Sequence, residues 1–275
     1  REAGDIQQLK ALMGDKVGRV KIVAKIEDQE GVRNLESIIK ESDGIMVARG
    51  DLGVEINLED LPNVQRTIVR LCAEYGKRVI VATHLLESMI HHPHPTRAEV
   101  TDVANAIYEE ADAVMLSGET TVGKYPVKCV EYLRRIALKS ETIPGLQFAK
   151  HLRDAGNKQQ LAAAAVQLAE GVKAKGIVVI TRRGIMADLV ANCRPFATNI
   201  YAFTNMSQPR RTMLLNRGVY PFKIDFSSDP EKTLQTAFRI LKDREQFRAG
   251  DKVVIISDVL AQQRVDSIQI RDVPS

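Results

Sequence analysis

The sequence predicts a parallel α/β fold, half of a (β/α)8 TIM-type barrel followed by a smaller α/β domain. Three observations carry this expectation. Four short apolar runs, near residues 19–27, 44–48, 78–82 and 113–116, are each followed by a stretch with helical spacing, and this alternation is the mark of βα units in a parallel sheet. Each run ends in residues able to do chemistry, namely Lys25 and Glu27, Asp51, Thr83, and Ser117 with Glu119; barrel enzymes place such residues at the C-terminal rim. Beyond Glu141 the pattern breaks into turn residues, Thr142–Ile143–Pro144–Gly145, before a new series of apolar runs begins. Domain boundaries are therefore expected at 1–142 and 143–275. Four units make only half of a barrel, so the sheet has open edges that something else must complete.

The elements follow in order. Asp5 can cap a helix to Met13, whose apolar face carries Ile6, Leu9, Leu12 and Met13. The first strand, 19–27, has an apolar middle that implies burial on both faces. Gln29–Glu30–Gly31 turns into a helix with Val32, Leu35, Ile38 and Ile39 at helical spacing. The second strand, Gly44 to Ala48, ends at an Arg49–Gly53 turn. Pro62 sits at a helix N1 position, and Gly76 closes that helix. The third strand leads into Thr83 and His84, and Thr96–Arg97–Ala98–Glu99 forms a capping box. The fourth strand ends at Ser117–Gly118–Glu119, and Pro126 opens another helix. The second domain is expected to hold an alanine-rich helix over 158–172, strands near 176–181, 199–203, 219–224, 252–256 and 267–270, and helices near 184–192, 208–215 and 230–247.

Composition narrows the class. The 275 residues hold 39 basic and 35 acidic side chains, a net charge of +4, and these charges are interspersed along the chain. There is no tryptophan and only 5% aromatic content, so nucleic acid is not expected as the main partner. No apolar run approaches the roughly 20 residues needed to span a bilayer. Cys72, Cys129 and Cys193 lie far apart without a C-x-x-C; buried thiols in a reducing, cytoplasmic setting are expected. The polar N-terminus lacks both a starting methionine and a signal-peptide core, as in a processed or incomplete chain.

Lys25 and Glu27 are two apart on a strand and so share a face. With Asp51 delivered by the next strand, they bring one ammonium and two carboxylates to one rim, a set that suits a hard metal ion and a phosphorylated substrate. Gly50 would let backbone amides approach an anion while Asp51 holds the cation. Thr83 could donate to a substrate carboxylate or enolate. Each has an ordinary counterpart: a surface ion pair, a glycine turn, a helix cap. Gly118 to Lys124 spells G-x-x-x-x-G-K, but Tyr125 and Pro126 follow where a P-loop needs a metal-binding hydroxyl and a backbone donor. His91, His92 and His94 alternate with prolines on a loop that gives no tetrahedral frame for zinc.

The sequence resembles the pyruvate kinase family. The resemblance is carried by Lys25–Ile26–Glu27, by the run from Gly44 through Arg49–Gly50–Asp51–Leu52–Gly53 to Glu55, by Leu86–Glu87–Ser88–Met89, by Pro95 to Val100, by Asp102 to Ala106 and by Met115 to Thr120. It extends over the whole chain, more loosely in the second domain. It implies the second half of the barrel plus the family's C-terminal regulatory and assembly domain, with the earlier strands and an inserted lid outside this chain. It also implies glycolytic phosphoryl transfer from phosphoenolpyruvate to ADP, giving pyruvate and ATP, with Mg2+ (or Mn2+) and K+, in a cytoplasmic homotetramer. By motif position, Glu27 and Asp51 resemble the metal ligands and Gly50, Asp51 and Thr83 the substrate contacts. Lys25 resembles the lysine that stabilises the transferring phosphoryl group. The K+ ligands and most nucleotide contacts would lie upstream, so the fragment alone is expected to be inactive. His84 stands where the family generally has glutamine. The loop Thr181–Arg182–Arg183–Gly184 occupies the place of a sugar-phosphate effector site, with one hydroxyl and two arginines. Two other readings stay open: a metal-dependent aldolase or lyase acting on a pyruvate enolate, and a non-catalytic regulatory module.

Overall fold

Apolar runs alternate with helices through the first 153 residues, and each strand pairs in parallel with the next. The computed structural model describes residues 1–153, 156–257 and 267–275, in two units, Arg1–Arg153 and Asp154–Ser275. In the first unit the strands are β1 (Val23–Ile26), β2 (Gly44–Ala48), β3 (Arg78–Ala82) and β4 (Ala113–Met115), in the order β1-β2-β3-β4. The helices are α1 (Ala3–Met13), α2 (Gln29–Arg33), α3 (Leu35–Glu41), α4 (Arg49–Glu55), α5 (Leu61–Glu74), α6 (Arg97–Tyr108), α7 (Gly118–Thr121) and α8 (Pro126–Ser140). A strand, a helix and the next strand, repeated in sequence order, form a run of βα units, as in part of a (β/α)8 barrel.

One face of this sheet is closed and the other is open. Ile26, Ile45, Val47, Val79 and Val81 pack with Ile38, Ile39, Ile68 and Cys72 from the helices. The alternate residues point the opposite way. Lys25, Met46 and Ile80 lie side by side in register, with Lys25 exposed and Met46 and Ile80 half-buried. The expectation that the first strand is buried on both faces is therefore corrected. It is an edge strand with its second face uncovered among the described residues. It is also shorter than expected, because Asp43 takes the Ile22 N–H at 2.8 Å and pairing starts only at Val23↔Gly44.

Other boundaries shift for local reasons. Glu2, not Asp5, is the N-cap of α1; Asp5 sits one turn in and accepts the Glu2 N–H at 3.0 Å. Pro62 is the second residue of α5, which begins at Leu61. The expected Arg49–Gly53 turn is helix α4, with Arg49 and Leu52 buried on its inner side. The first unit also runs past Thr142. Leu146 N donates to Tyr108 O at 2.8 Å, Phe148 packs on the core, and Arg153 grips Glu74 at 2.8 Å with its guanidinium 4.6 Å from the centre of the Tyr75 ring. The unit therefore ends at Arg153 rather than 142. Asp154 and Ala155, in the stretch beyond Glu141 where the pattern was expected to break, lie outside the described residues.

The second unit is a five-stranded sheet in the order β7-β6-β5-β8-β9. It contains α9 (Asn157–Gly171), β5 (Gly176–Ile180), α10 (Ile185–Asn192), β6 (Asn199–Thr204), α11 (Ser207–Thr212), β7 (Val219–Lys223), α12 (Pro230–Glu245), β8 (Lys252–Ser257) and β9 (Ser267–Asp272). Among these described strands only β9 is antiparallel. Here both faces are covered: Ile177 and Val179 of β5 pack with α9 and α10, while Val178 and Ile180 pack with α12. That two-sided burial explains the continuous apolar runs.

Candidate active site

Parallel register brings the C-terminal ends of β1 to β4 to one edge, since Ile26, Val47, Val81 and Val114 are matched across the sheet. β1 supplies Lys25, and Glu27 follows directly after its end; from the first turn of α4 comes Asp51. The Lys25 ammonium donates to Asp51 Oδ2 at 2.7 Å and also touches Glu27 Oε2. All three side chains are exposed to solvent. The hydrogen bond from Lys25, followed by its charge, holds the Asp51 carboxyl below the usual aspartate value. Hydrogen bonds to Asp51 and then Glu27 push the Lys25 ammonium well above the ordinary lysine value. One cation is thus held between two carboxylates, where a hard divalent ion would find oxygen ligands. Among the described residues no third histidine, cysteine or carboxylate joins them, so such an ion would take its remaining oxygens from water and substrate.

The end of β3 is built differently. Thr83 and His84 both have left-handed backbones, with φ of 69° and 54°. For a β-branched residue this is an outlier, and each such residue costs on the order of 1–3 kcal/mol unless its surroundings impose it. Here Arg49, only 7% exposed, supplies the constraint. Its guanidinium donates to Thr83 O at 2.7 and 3.2 Å, to Ala82 O at 3.3 Å, and to Asp102 Oδ1 at 2.7 Å. Gln65 lies 3.4 Å from Arg49 and in turn donates to Glu109 at 2.8 Å. In this arrangement Thr83 Oγ1 accepts the Gly50 N–H at 2.7 Å and donates to Ala82 O at 2.7 Å. The Gly50 amide, expected to face an anion, is therefore occupied by Thr83. Gly50 also permits a close approach: a Cβ there would lie 3.1 Å from His84 Cε1 and 3.4 Å from Thr83 Oγ1. A cleft of about 430 Å³ opens beside them, with Arg49, Gly50, His84 and Asp102 in its wall.

Other candidates resolve into structural roles. Glu119 is fully buried and accepts Leu86 N at 3.0 Å and Ser117 N at 2.7 Å, tying two rim loops together. In the Gly118–Lys124 segment, which begins with helix α7, the Thr120 and Thr121 amides go to Ser117 O, Val122 and Gly123 to Gly118 O, and Lys124 to Ile90 O. A P-loop must aim such amides at phosphate; these are spent within the chain. His94 Nδ1 pairs with Tyr132 OH at 2.7 Å, away from any metal-like cluster among the described residues. In the second unit Thr181 is buried, and its Oγ1 has no hydrogen-bond partner among the described residues. Arg182 and Arg183 are exposed beside it, and Gly184, φ 83°, leads into α10.

The network of Arg49, Asp102, Gln65 and Glu109 was not singled out from sequence. The available signal was a lone arginine directly after a fully apolar strand, since a buried charge requires partners.

Comparison with known proteins bears on the chain as a whole. Residues 1–130 match the family model for the pyruvate kinase barrel domain, and residues 159–270 match that for the pyruvate kinase alpha/beta domain. The chain belongs to the pyruvate kinase family. It is 40% identical over 265 residues to a chloroplastic pyruvate kinase isozyme A of Nicotiana tabacum, covering 93% of this chain and 44% of that protein. It is 39% identical over 279 residues to a chloroplastic isozyme G of Ricinus communis, covering 99% and 66%. Against a pyruvate kinase of Dictyostelium discoideum it is 38% identical over 272 residues, covering 94% and 53%. The chain spans about half the length of the curated relatives it matches. The two family models divide it as the structure does, into a partial barrel and an α/β domain. In this chain the rim at β1 to β3 carries Lys25, Glu27, Gly50, Asp51 and Thr83. Among the described residues no helix is long and apolar enough to cross a membrane.

Proposed function

We propose that this chain supplies the metal- and phosphoenolpyruvate-binding rim of a pyruvate kinase, which transfers the phosphoryl group of phosphoenolpyruvate to ADP in glycolysis. The observation that carries this reading is the convergence of Glu27 and Asp51 on the Lys25 ammonium at a barrel rim. Glu27 and Asp51 are the proposed ligands of Mg2+, or Mn2+ in its place. A divalent ion there would neutralise charge on the phosphate and enolate oxygens as it develops. Lys25 would then turn from the carboxylates towards the transferring phosphoryl group, whose loose transition state spreads negative charge over its oxygens. Gly50 and Thr83 are the proposed contacts for the substrate carboxylate. For that, Thr83 must redirect the proton it now gives to Ala82 O, and the Gly50 amide, now donated to Thr83 Oγ1, must be shared with the substrate.

The finer features rest on family membership. K+ and most of the ADP contacts are assigned to residues outside this chain, and a homotetramer is proposed from family membership alone. A cytoplasmic setting is supported by three free thiols, Cys72, Cys129 and Cys193, although plant relatives carry chloroplastic names. Thr181, Arg182 and Arg183 form a proposed phosphate-binding effector loop, because an unpartnered buried hydroxyl and two exposed arginines favour an anion.

Titration calorimetry with oxalate, a mimic of the pyruvate enolate, tests the site in the intact protein that carries this chain. Binding is expected only with Mg2+ present and is expected to vanish in Glu27→Ala. Equal binding with and without Mg2+, or in Glu27→Ala, would refute the assignment.

A further inference from the structure

The geometry points to Arg49 as the positioning residue of this rim, holding Thr83 in its left-handed conformation and through it the Gly50 amide. The inference rests on the phosphoenolpyruvate reading given above. Arg49 precedes Gly50 and Asp51 in sequence, yet its side chain runs the other way, beneath the rim. It is buried, whereas Lys25 and Asp51 are exposed. It therefore acts on the substrate groups only through Thr83.

The reason an arginine is needed lies in the carbonyls. Pairing of β2 with β3 ends at Ala48↔Ala82, and the two left-handed residues that follow turn the chain out of the sheet. Thr83 O, and in part Ala82 O, then rely on the guanidinium, and a buried carbonyl without a donor is costly. One planar fork meets those acceptors with Nε and Nη2 while Nη1 meets Asp102. A lysine offers a single point charge and cannot span both sides. Asp102 neutralises the buried cation, and Gln65, itself held by Glu109, braces it. The result is a relay from α5 and α6 through Arg49 to the Thr83 hydroxyl, which sits on the Gly50 N–H at 2.7 Å.

Arg49→Lys in the intact protein provides the test. We expect kcat/KM for phosphoenolpyruvate to fall about 30-fold while KM for ADP changes less than about 3-fold, as for a group whose misplacement affects one substrate. On a Thr83→Ala background the same substitution is expected to cost less than about 3-fold, because two residues on one path are not additive. Hydrogen exchange at the Gly50 amide is expected to accelerate about 10-fold in Arg49→Lys, with the β3 amides unchanged, as in local rather than global opening. Asp102→Asn, which keeps Arg49 in place, is the second variant should Arg49→Lys fold poorly, and it is expected to act in the same direction. Full additivity with Thr83→Ala, or unchanged Gly50 exchange, would overturn the inference. If the parent protein transfers no phosphoryl group, the proposed function fails by itself, and the exchange measurement still decides the role of Arg49.

Discussion

Lys25 Nζ and Asp51 Oδ2 lie 2.7 Å apart, which joins the edge strand β1 to the first turn of α4 across the mouth of the sheet. The ammonium stands between Asp51 and Glu27, the place a divalent cation would take. Metal and lysine therefore compete for the same oxygens before they cooperate on a substrate.

That competition has a direct consequence. Removing the ammonium in Lys25→Met relieves repulsion of an incoming cation while leaving both carboxylates in place. Mn2+ binding, followed by electron paramagnetic resonance, is expected to be at least as tight in Lys25→Met as in the parent. A loss of Mn2+ binding would mean that the carboxylates depend on Lys25 for their arrangement.

Titration gives a second check. The Lys25 hydrogen bond holds Asp51 below the usual carboxylate value, so the pair favours the fold above the unfolded aspartate pKa, and that contribution disappears as pH falls through the lowered folded value. For Lys25 the folded value is raised; its contribution is present below the unfolded lysine pKa and disappears as pH rises through the higher folded one. Carbon-13 NMR of the Asp51 carboxyl is expected to show a midpoint below that of an ordinary aspartate, moving upward in Lys25→Met.

The capping box of α6 bears on stability rather than catalysis. Glu99 accepts from Ser88 N and Oγ, each at 2.6 Å, and from Thr96 N and Oγ1 at 2.7 and 2.9 Å. Partial burial works to raise its pKa, but these bonds outweigh it and hold the carboxyl below its ordinary value. Thr96→Ala is expected to destabilise the first unit by about 1 kcal/mol, and Glu99→Ala by about 2 kcal/mol, in urea unfolding at neutral pH. The Glu99 contribution should decline in acid, as pH falls through its lowered value.

Local pattern was informative where local forces decide. The bounds of β2 and β3, and the Thr96–Glu99 box, follow from continuous apolar runs and from capping chemistry. It was less informative where distant residues decide. The glycines at 50 and 53 suggested a turn, yet α4 forms with Arg49 and Leu52 buried. Arg49 meets Asp102 across 53 residues of chain, beyond the reach of any periodicity. The left-handed Thr83 could not be foreseen, because threonine disfavours that region; it is imposed by tertiary hydrogen bonds. Burial of Lys25 was expected from its apolar neighbours, but those neighbours face the helices and Lys25 faces the open side.

The most direct test of the proposed chemistry is Lys25→Met in the intact protein, assayed for ATP formation from phosphoenolpyruvate and ADP and, separately, for Mg2+-dependent proton exchange at the methyl group of pyruvate. A lysine that meets the transferring phosphoryl group is expected to cost about 10³-fold in ATP formation when removed, while proton exchange persists. An aldolase or lyase working through Glu27 and Asp51 would form no ATP before or after the change. Undiminished ATP formation in Lys25→Met would contradict the role given to Lys25.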